Sequence, residues 1–128
     1  MKREILFKGK SVNTCEWIES MTITKGATES TKDALFMEKD IDEWVEIVPD
    51  SLSQFVNETD KNGKKVFEGD YDKDGNCVVW CDTCKGFQFA GIVIDAKGIY
   101  VPCHNCDGNF HFNELIDEFE IIGNIADL

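Results

Sequence analysis

Asp60-Lys61-Asn62-Gly63-Lys64-Lys65-Val66-Phe67-Glu68-Gly69-Asp70 is a turn followed by a short apolar pair and a second turn. The dipeptide Asn62-Gly63 carries the two residue types that tolerate positive φ, which predicts a tight type I′ hairpin turn there. Gly69-Asp70 ends the returning strand after very few residues. A chain punctuated at this interval builds short antiparallel strands rather than helices, and the same rhythm extends in both directions.

Downstream, Asp72-Lys73-Asp74-Gly75-Asn76 is another turn, followed by strands at Cys77–Trp80 and Phe87–Ile94, a turn at Ala96-Lys97-Gly98 and a return strand at Ile99–Val101. Asp72, Asp74 and Asn76 alternate as calcium ligands do. A calcium loop, however, wants glycine at its sixth position and glutamate at its twelfth, where this chain has Cys77 and Thr83. Asn113 caps a short helical or irregular piece, and Glu118–Ile122 is the final strand, followed by a terminal turn at Gly123–Leu128. Upstream, alternation over Arg3–Lys8 and the β-branched, aromatic segment Glu16–Thr24 predict an opening hairpin, with further strands at Ala34–Met37 and Trp44–Val48. Lys25–Lys32 reads as a loop. Pro49–Gln54 reads as a helical turn capped by Asp50, before an extended Phe55-Val56. Many short strands between Gly, Asn and Asp turns predict a mostly β protein, a small barrel.

The chemistry in the sequence is concentrated in Cys81-Asp82-Thr83-Cys84 and Cys103-His104-Asn105-Cys106, two Cys-x-x-Cys pairs with 18 residues between them. This spacing suits four thiolates around one zinc ion. Gly86 and Gly108 each follow the second cysteine of a pair by two, where a turn folding its amides toward sulfur needs positive φ. A hairpin of residues 87–94 with 99–101 would carry both pairs to one end. Zinc at Cys81, Cys84, Cys103 and Cys106 would be a closed structural site with no open position for water, hence no Lewis-acid chemistry. The simpler alternative is four reduced, buried cysteines at strand ends. His104 and His111 are read as ordinary side chains. A thioredoxin-like role would want a helix after the first cysteine, and neither pair begins one.

The 128 residues suffice for one domain or two small subdomains, and the composition, 42% apolar and 30% charged, is that of a soluble protein. No apolar run reaches the ~20 residues of a membrane span. The first residues contain no signal-like apolar segment, so a cytoplasmic location is expected, where six cysteines do not make three disulfides. A net charge of -12 repels phosphate and disfavours direct nucleic-acid binding. No Gly-x-Ser-x-Gly, phosphate-binding glycine loop or His-Glu-x-x-His is present, and no catalytic residue stands out.

Three blocks together resemble the YopX family of phage and prophage proteins: Arg3-Glu-Ile-Leu-Phe-Lys-Gly-Lys10 with Glu16-Trp17, then Trp44 to Phe55 with Asp60 to Asp70, and Phe119-Glu-Ile-Ile-Gly-Asn-Ile125. The resemblance implies an SH3-like barrel in the C-terminal half and a setting in a phage or integrated element of a bacterium. It supplies no catalytic residue. The paired Cys-x-x-Cys motifs are not a hallmark of that family. Pattern and resemblance together predict an N-terminal β-rich subdomain over residues 1–56 and an SH3-like barrel with short helical turns over residues 57–128. The function expected is that of a noncatalytic phage or prophage accessory protein, acting in the bacterial host cytoplasm on a phage or host protein. The alternative is a nucleic-acid-related role, through a zinc knuckle with Lys85 and Lys97 or through an acidic surface imitating DNA.

Overall fold

The computed structural model describes residues 4–83, 85–96, 98–101 and 116–128. The chain divides into two units, Met1–Phe55 and Val56–Leu128.

In the first unit, β1 (Phe7–Lys10) and β2 (Trp17–Ser20) form an antiparallel hairpin in which Lys10 faces Trp17 and Phe7 faces Ser20. Ser11 shapes the connection, its Oγ accepting from the amides of Asn13 and Thr14. The segment Glu16–Thr24, expected as one strand, is divided: β2 pairs with β1, while β3 (Ile23–Lys25) joins β4 (Leu35–Asp40) and β5 (Glu43–Ile47) in a three-stranded antiparallel sheet. Ser20 causes the break. Its Oγ accepts from Thr22 N–H at 3.0 Å, a local turn that competes with the ladder.

Ile18, Met37 and Ile47 form the core of this unit, with Phe7, Ile23, Leu35, Val45 and Leu52 packed around them. Gly9 of β1 lies against that core so closely that a Cβ there would stand 2.7 Å from Ile47 Cδ1. Pro49–Ser51 is a 3-10 turn, as the sequence predicts. Asp50 does not cap it. Val48 occupies the cap position without a side-chain bond, and Ser51 anchors the turn instead, donating to Val48 O at 2.6 Å and accepting from Lys10 N–H at 2.8 Å.

Strand β6 (Ser53–Thr59) begins in the first unit beside β1 and ends in the second beside β7 (Lys65–Phe67). The turn between β6 and β7 is not type I′. Only Gly63 has positive φ, 82°, and Asn62 does not. The bonds Gly63 N–H to Asp60 O and Asp60 N–H to Lys64 O close a three-residue loop that ends on a left-handed glycine, the next most common hairpin form. The side chain of Asp60 explains the choice, because its Oδ1 accepts from both Asn62 and Lys64 amides at 2.9 Å.

β8 (Asp70–Tyr71), β9 (Asn76–Cys81), β10 (Gly86–Gly91) and β13 (Gly123–Asn124) make one sheet in the order β10-β9-β8-β13. β11 (Val93–Asp95) and β12 (Gly98–Tyr100) form a separate hairpin. Val66, Val78, Ile116 and Phe119 are the core of this unit, with Val56, Phe87, Phe89 and Ile121 against it. The Phe89 and Phe119 rings meet at 4.8 Å between centroids, within the range of favourable aromatic pairs.

The mostly β expectation holds, but the SH3-like barrel does not. Among the described residues the strands form four open sheets, and none closes on itself. Closure requires every strand to have two neighbours, whereas β10 and β13 are edges. Two local causes are visible. β8 is only two residues long and meets β9 through one pair, Tyr71 with Cys77, because Asp70 and Asp72 turn their carboxylates onto nearby backbone amides. The expected final strand, Glu118–Ile122, is instead the end of a 3-10 turn (Ile116–Glu118) and a run that belongs to no ladder. Its backbone groups are taken singly, Phe119 O by Lys61 N–H, Ile121 N–H by Asp60 Oδ2 and Ile122 N–H by Tyr71 O.

Candidate functional site

Of the four predicted zinc ligands, Cys81 is described and Cys84, Cys103 and Cys106 lie outside the described residues, as do Lys97, His104 and His111. Cys81 is the last residue of β9, fully buried and paired with Gly86 of β10. The turn that joins them differs from the expected knuckle. Lys85 takes the positive φ, 55°, while Gly86 is extended in the ladder and a Cβ there would meet nothing within 4 Å. Beside this turn Trp80 donates its indole N–H to Asp82 Oδ1 at 2.8 Å and meets Phe87 edge-on at 5.2 Å. The hairpin of residues 87–94 with 99–101, expected to carry both cysteine pairs to one end, forms only in part: Val93–Asp95 pairs with Gly98–Tyr100, whereas Gly86–Gly91 pairs with β9. Among the described residues no three His, Cys, Asp or Glu side chains are grouped to hold a metal ion.

Cys77, two turns of the pleat before Cys81, is buried, and its thiol is pushed up to about 12, by burial first and then by the charges of Asp70 and Glu68. Such a sulfur stays protonated and is a poor nucleophile or ligand at neutral pH. Cys15 is the exposed thiol of the first unit.

The second unit has an acidic cleft of about 170 Å³ lined by Asp72, Asp74, Asn76, Phe89, Glu118 and Phe119. It covers the stretch that imitates a calcium loop, and its geometry shows why the imitation stops there. Asp72 Oδ1 accepts from the amides of Asp74 and Asn76 at 3.0 and 2.9 Å, and Oδ2 accepts from Asn76 Nδ2 at 3.1 Å. Its carboxylate closes the β8-β9 turn, with Gly75 at φ 80°.

Asp60, Asp70 and Asp72 form a set that sequence reasoning passed over as turn residues. All three are buried and each satisfies backbone amides. Asp70 Oδ2 accepts from Phe67 N–H at 2.8 Å and Oδ1 from Asn124 Nδ2 at 2.9 Å. For Asp60, burial alone would raise the pKa, but the amides of Ile121, Lys64 and Asn62 and the Lys64 charge outweigh it and hold the carboxyl below its ordinary value. Their role is architectural. The signal for Asp60 and Asp72 was the spacing Asp-x-Asn and Asp-x-Asp at turn starts, which marks side chains that bond the amides two and four residues on, whereas Asp70 accepts from Phe67, three residues before it.

Exposed apolar side chains are the remaining feature. In the first unit Val12, Ile41, Trp44 and Val48 are exposed, and in the second Trp80, Ile94 and Ile99. On the β1-β2 hairpin the Lys8 ammonium lies 4.5 Å from the Trp17 ring centroid and that of Lys10 lies 6.0 Å away. No helix among the described residues is long and apolar enough to cross a membrane.

No protein-family model, curated protein or solved structure matches the chain.

Proposed function

We propose that this chain is a noncatalytic accessory protein of a phage or prophage that works in the bacterial cytoplasm by contact with another protein. The observation that carries the reading is the exposure of Val12, Ile41, Trp44 and Val48 in a unit whose core is built on Ile18, Met37 and Ile47. Apolar side chains gathered at a surface mark a contact face. The three sequence blocks similar to the YopX family support the setting. The acidic cleft supports no reaction, since Asp72 is committed to closing a turn. Affinity capture with the full chain from induced host cells, followed by mass spectrometry, tests the reading. Recovery of one phage or host protein in stoichiometric amount is expected, and a set indistinguishable from a charge-matched control protein would reject it.

We also propose structural zinc at Cys81, Cys84, Cys103 and Cys106, on the spacing of the pairs. Elemental analysis of protein purified without added metal, repeated on Cys84→Ser, decides. Less than about a tenth of an equivalent in the parent rejects a tight site.

A second reading, contact with nucleic acid, has the lysine-flanked Trp17 in its favour and the net charge of -12 against it. A shift assay across salt concentrations separates the two, since phosphate contacts weaken steeply with salt.

A further inference from the structure

The β3-β4-β5 sheet alternates in the usual period of two. Ile23, Leu35, Met37, Val45 and Ile47 point into the core. The intervening residues, Thr24, Phe36, Glu38, Trp44 and Glu46, make the opposite face. Trp44, 43% exposed, stands directly opposite Glu38, and Glu46 directly opposite Phe36. Val48 continues the β5 row, and Val12 is held beside it by the 3.0 Å bond from its amide to Glu46 O. Directly opposed residues on one face have Cβ atoms ~5 Å apart, so each aromatic ring has a carboxylate as its neighbour.

The charge on this stretch is one-sided. Between Phe36 and Val48 the chain carries Glu38, Asp40, Asp42, Glu43 and Glu46 against Lys39 alone. A purely apolar partner would bury those carboxylates without compensation. A second copy of the same face would set like charges against each other, and a phosphate backbone would be repelled. The chemistry that satisfies ring and carboxylate together is a guanidinium, which stacks flat on an indole while its N–H groups bond a carboxylate at the edge. Lysine lacks the planar fork and would do so less well.

We propose that the open face of β3-β4-β5, centred on Trp44 and Glu38, docks an arginine-rich segment of a partner protein. An arginine stacks on the Trp44 indole and bonds the Glu38 carboxylate, Glu46 takes a second basic residue, and Val12 and Val48 receive the partner's apolar side chains. The inference rests on the interaction reading above and names the partner's chemistry.

The test is fluorescence anisotropy with the full chain and a labelled peptide alternating arginine with leucine, at about 50 mM salt where surface charges are weakly screened. Saturable binding is expected. Trp44→Ala should weaken it at least about tenfold, as loss of a central aromatic anchor does. Glu38→Gln should weaken it by about threefold to tenfold, and a lysine-leucine peptide should bind less tightly than the arginine peptide. Glu29→Gln, an exposed acid paired with Lys32 in a loop, should leave binding unchanged. Thermal melts confirm that each variant is folded. Equal binding of a glutamate-leucine peptide, no effect of Trp44→Ala, or an equal loss from Glu29→Gln overturns the proposal. If the arginine peptide fails yet the parent and Trp44→Ala capture the same host protein, this face is overturned and the interaction reading stands. If nothing is captured and no peptide binds, both fall.

Discussion

Asp60 Oδ2 accepts a hydrogen bond from the backbone N–H of Ile121 at 3.1 Å, across 61 residues of chain. With the bond from Lys61 N–H to Phe119 O at 2.9 Å, it fastens the C-terminal segment to the β6-β7 turn, where a barrel would have used a strand. One oxygen therefore does the work of a ladder. Asp60→Asn keeps an oxygen for Asn62 and Lys64 but presents an amide to Ile121, and should cost about 1 kcal/mol; Asp60→Ala leaves all three donors and should cost about 2 kcal/mol. Because the folded pKa lies below 3.8, the carboxylate's contribution is complete above that value and is lost as pH falls through the folded pKa. Urea unfolding at pH 7 and near pH 3 should show the gap between parent and Asp60→Asn shrinking with acid. A constant gap would mean the charge is irrelevant.

Asn124 tests a second buried carboxylate, that of Asp70. Its Nδ2 donates to Asp70 Oδ1 at 2.9 Å and to Glu68 O at 3.2 Å, and its Oδ1 accepts from Ala126 N–H at 3.0 Å. Asn124→Ala strands a buried carboxylate without that donor and should cost about 2 kcal/mol. Asn124→Asp sets two carboxylates at contact distance and should cost about 3 kcal/mol at pH 7, with partial recovery near pH 4 as one of them takes a proton. Unfolding midpoints at the two pH values check the sign: here too the gap narrows with acid, but because the variant gains stability rather than because the parent loses it.

The sequence was most legible where apolar, β-branched and aromatic residues run between turns. Cys77–Trp80 and Trp44–Val48 locate β9 and β5 within a residue or two. It was least legible where a side chain replaces the backbone as a hydrogen-bond partner. Ser20 splits one predicted strand into two that join different sheets, Asp60 changes the hairpin type, and Asp70 and Asp72 end β8 after two residues. Each is a short polar residue next to a turn, and its partner amide is known only once the chain is folded. The barrel failed at Asp70 and Asp72, and at the C-terminal run whose amides are taken singly. Of the candidate site, the place of Cys81 at a strand end follows from the apolar run before it. The positive φ of Lys85 does not, since a neighbouring glycine is the cheaper residue for that conformation.

The thiols should separate by burial. Iodoacetamide at pH 8.5 should alkylate exposed Cys15 in the native protein and reach Cys77 only after unfolding. A thiol whose folded pKa is raised from 9.0 to about 12 adds stability below pH 9.0 that is lost as pH rises toward 12. Cys77→Val removes this group and should flatten the stability profile over that range. Peptide mapping after alkylation and unfolding at pH 7 and pH 10 read the two effects independently, and native labelling of Cys77 at the rate of Cys15 would contradict its burial.

Gly9 tests how closely β1 lies on the core of the first unit. A Cβ at this position would stand 2.7 Å from Ile47 Cδ1, 3.1 Å from Met37 Sδ and 3.2 Å from Ile47 Cβ, and both partners are fully buried. Gly9→Ala should therefore overpack the core at a cost of about 2 kcal/mol. The first collision is with the end of a side chain, so Ile47→Val, which removes Cδ1, should cost less in the Gly9→Ala background than in the parent, a coupling of about 1 kcal/mol. Gly63→Ala is the contrasting case: open space surrounds it, but φ is +82°, so its cost of about 1 kcal/mol comes from the backbone and should be unchanged by Ile47→Val. A double-mutant cycle by urea unfolding distinguishes steric from conformational glycine, and strict additivity between Gly9 and Ile47 would show that β1 does not rest where the packing places it.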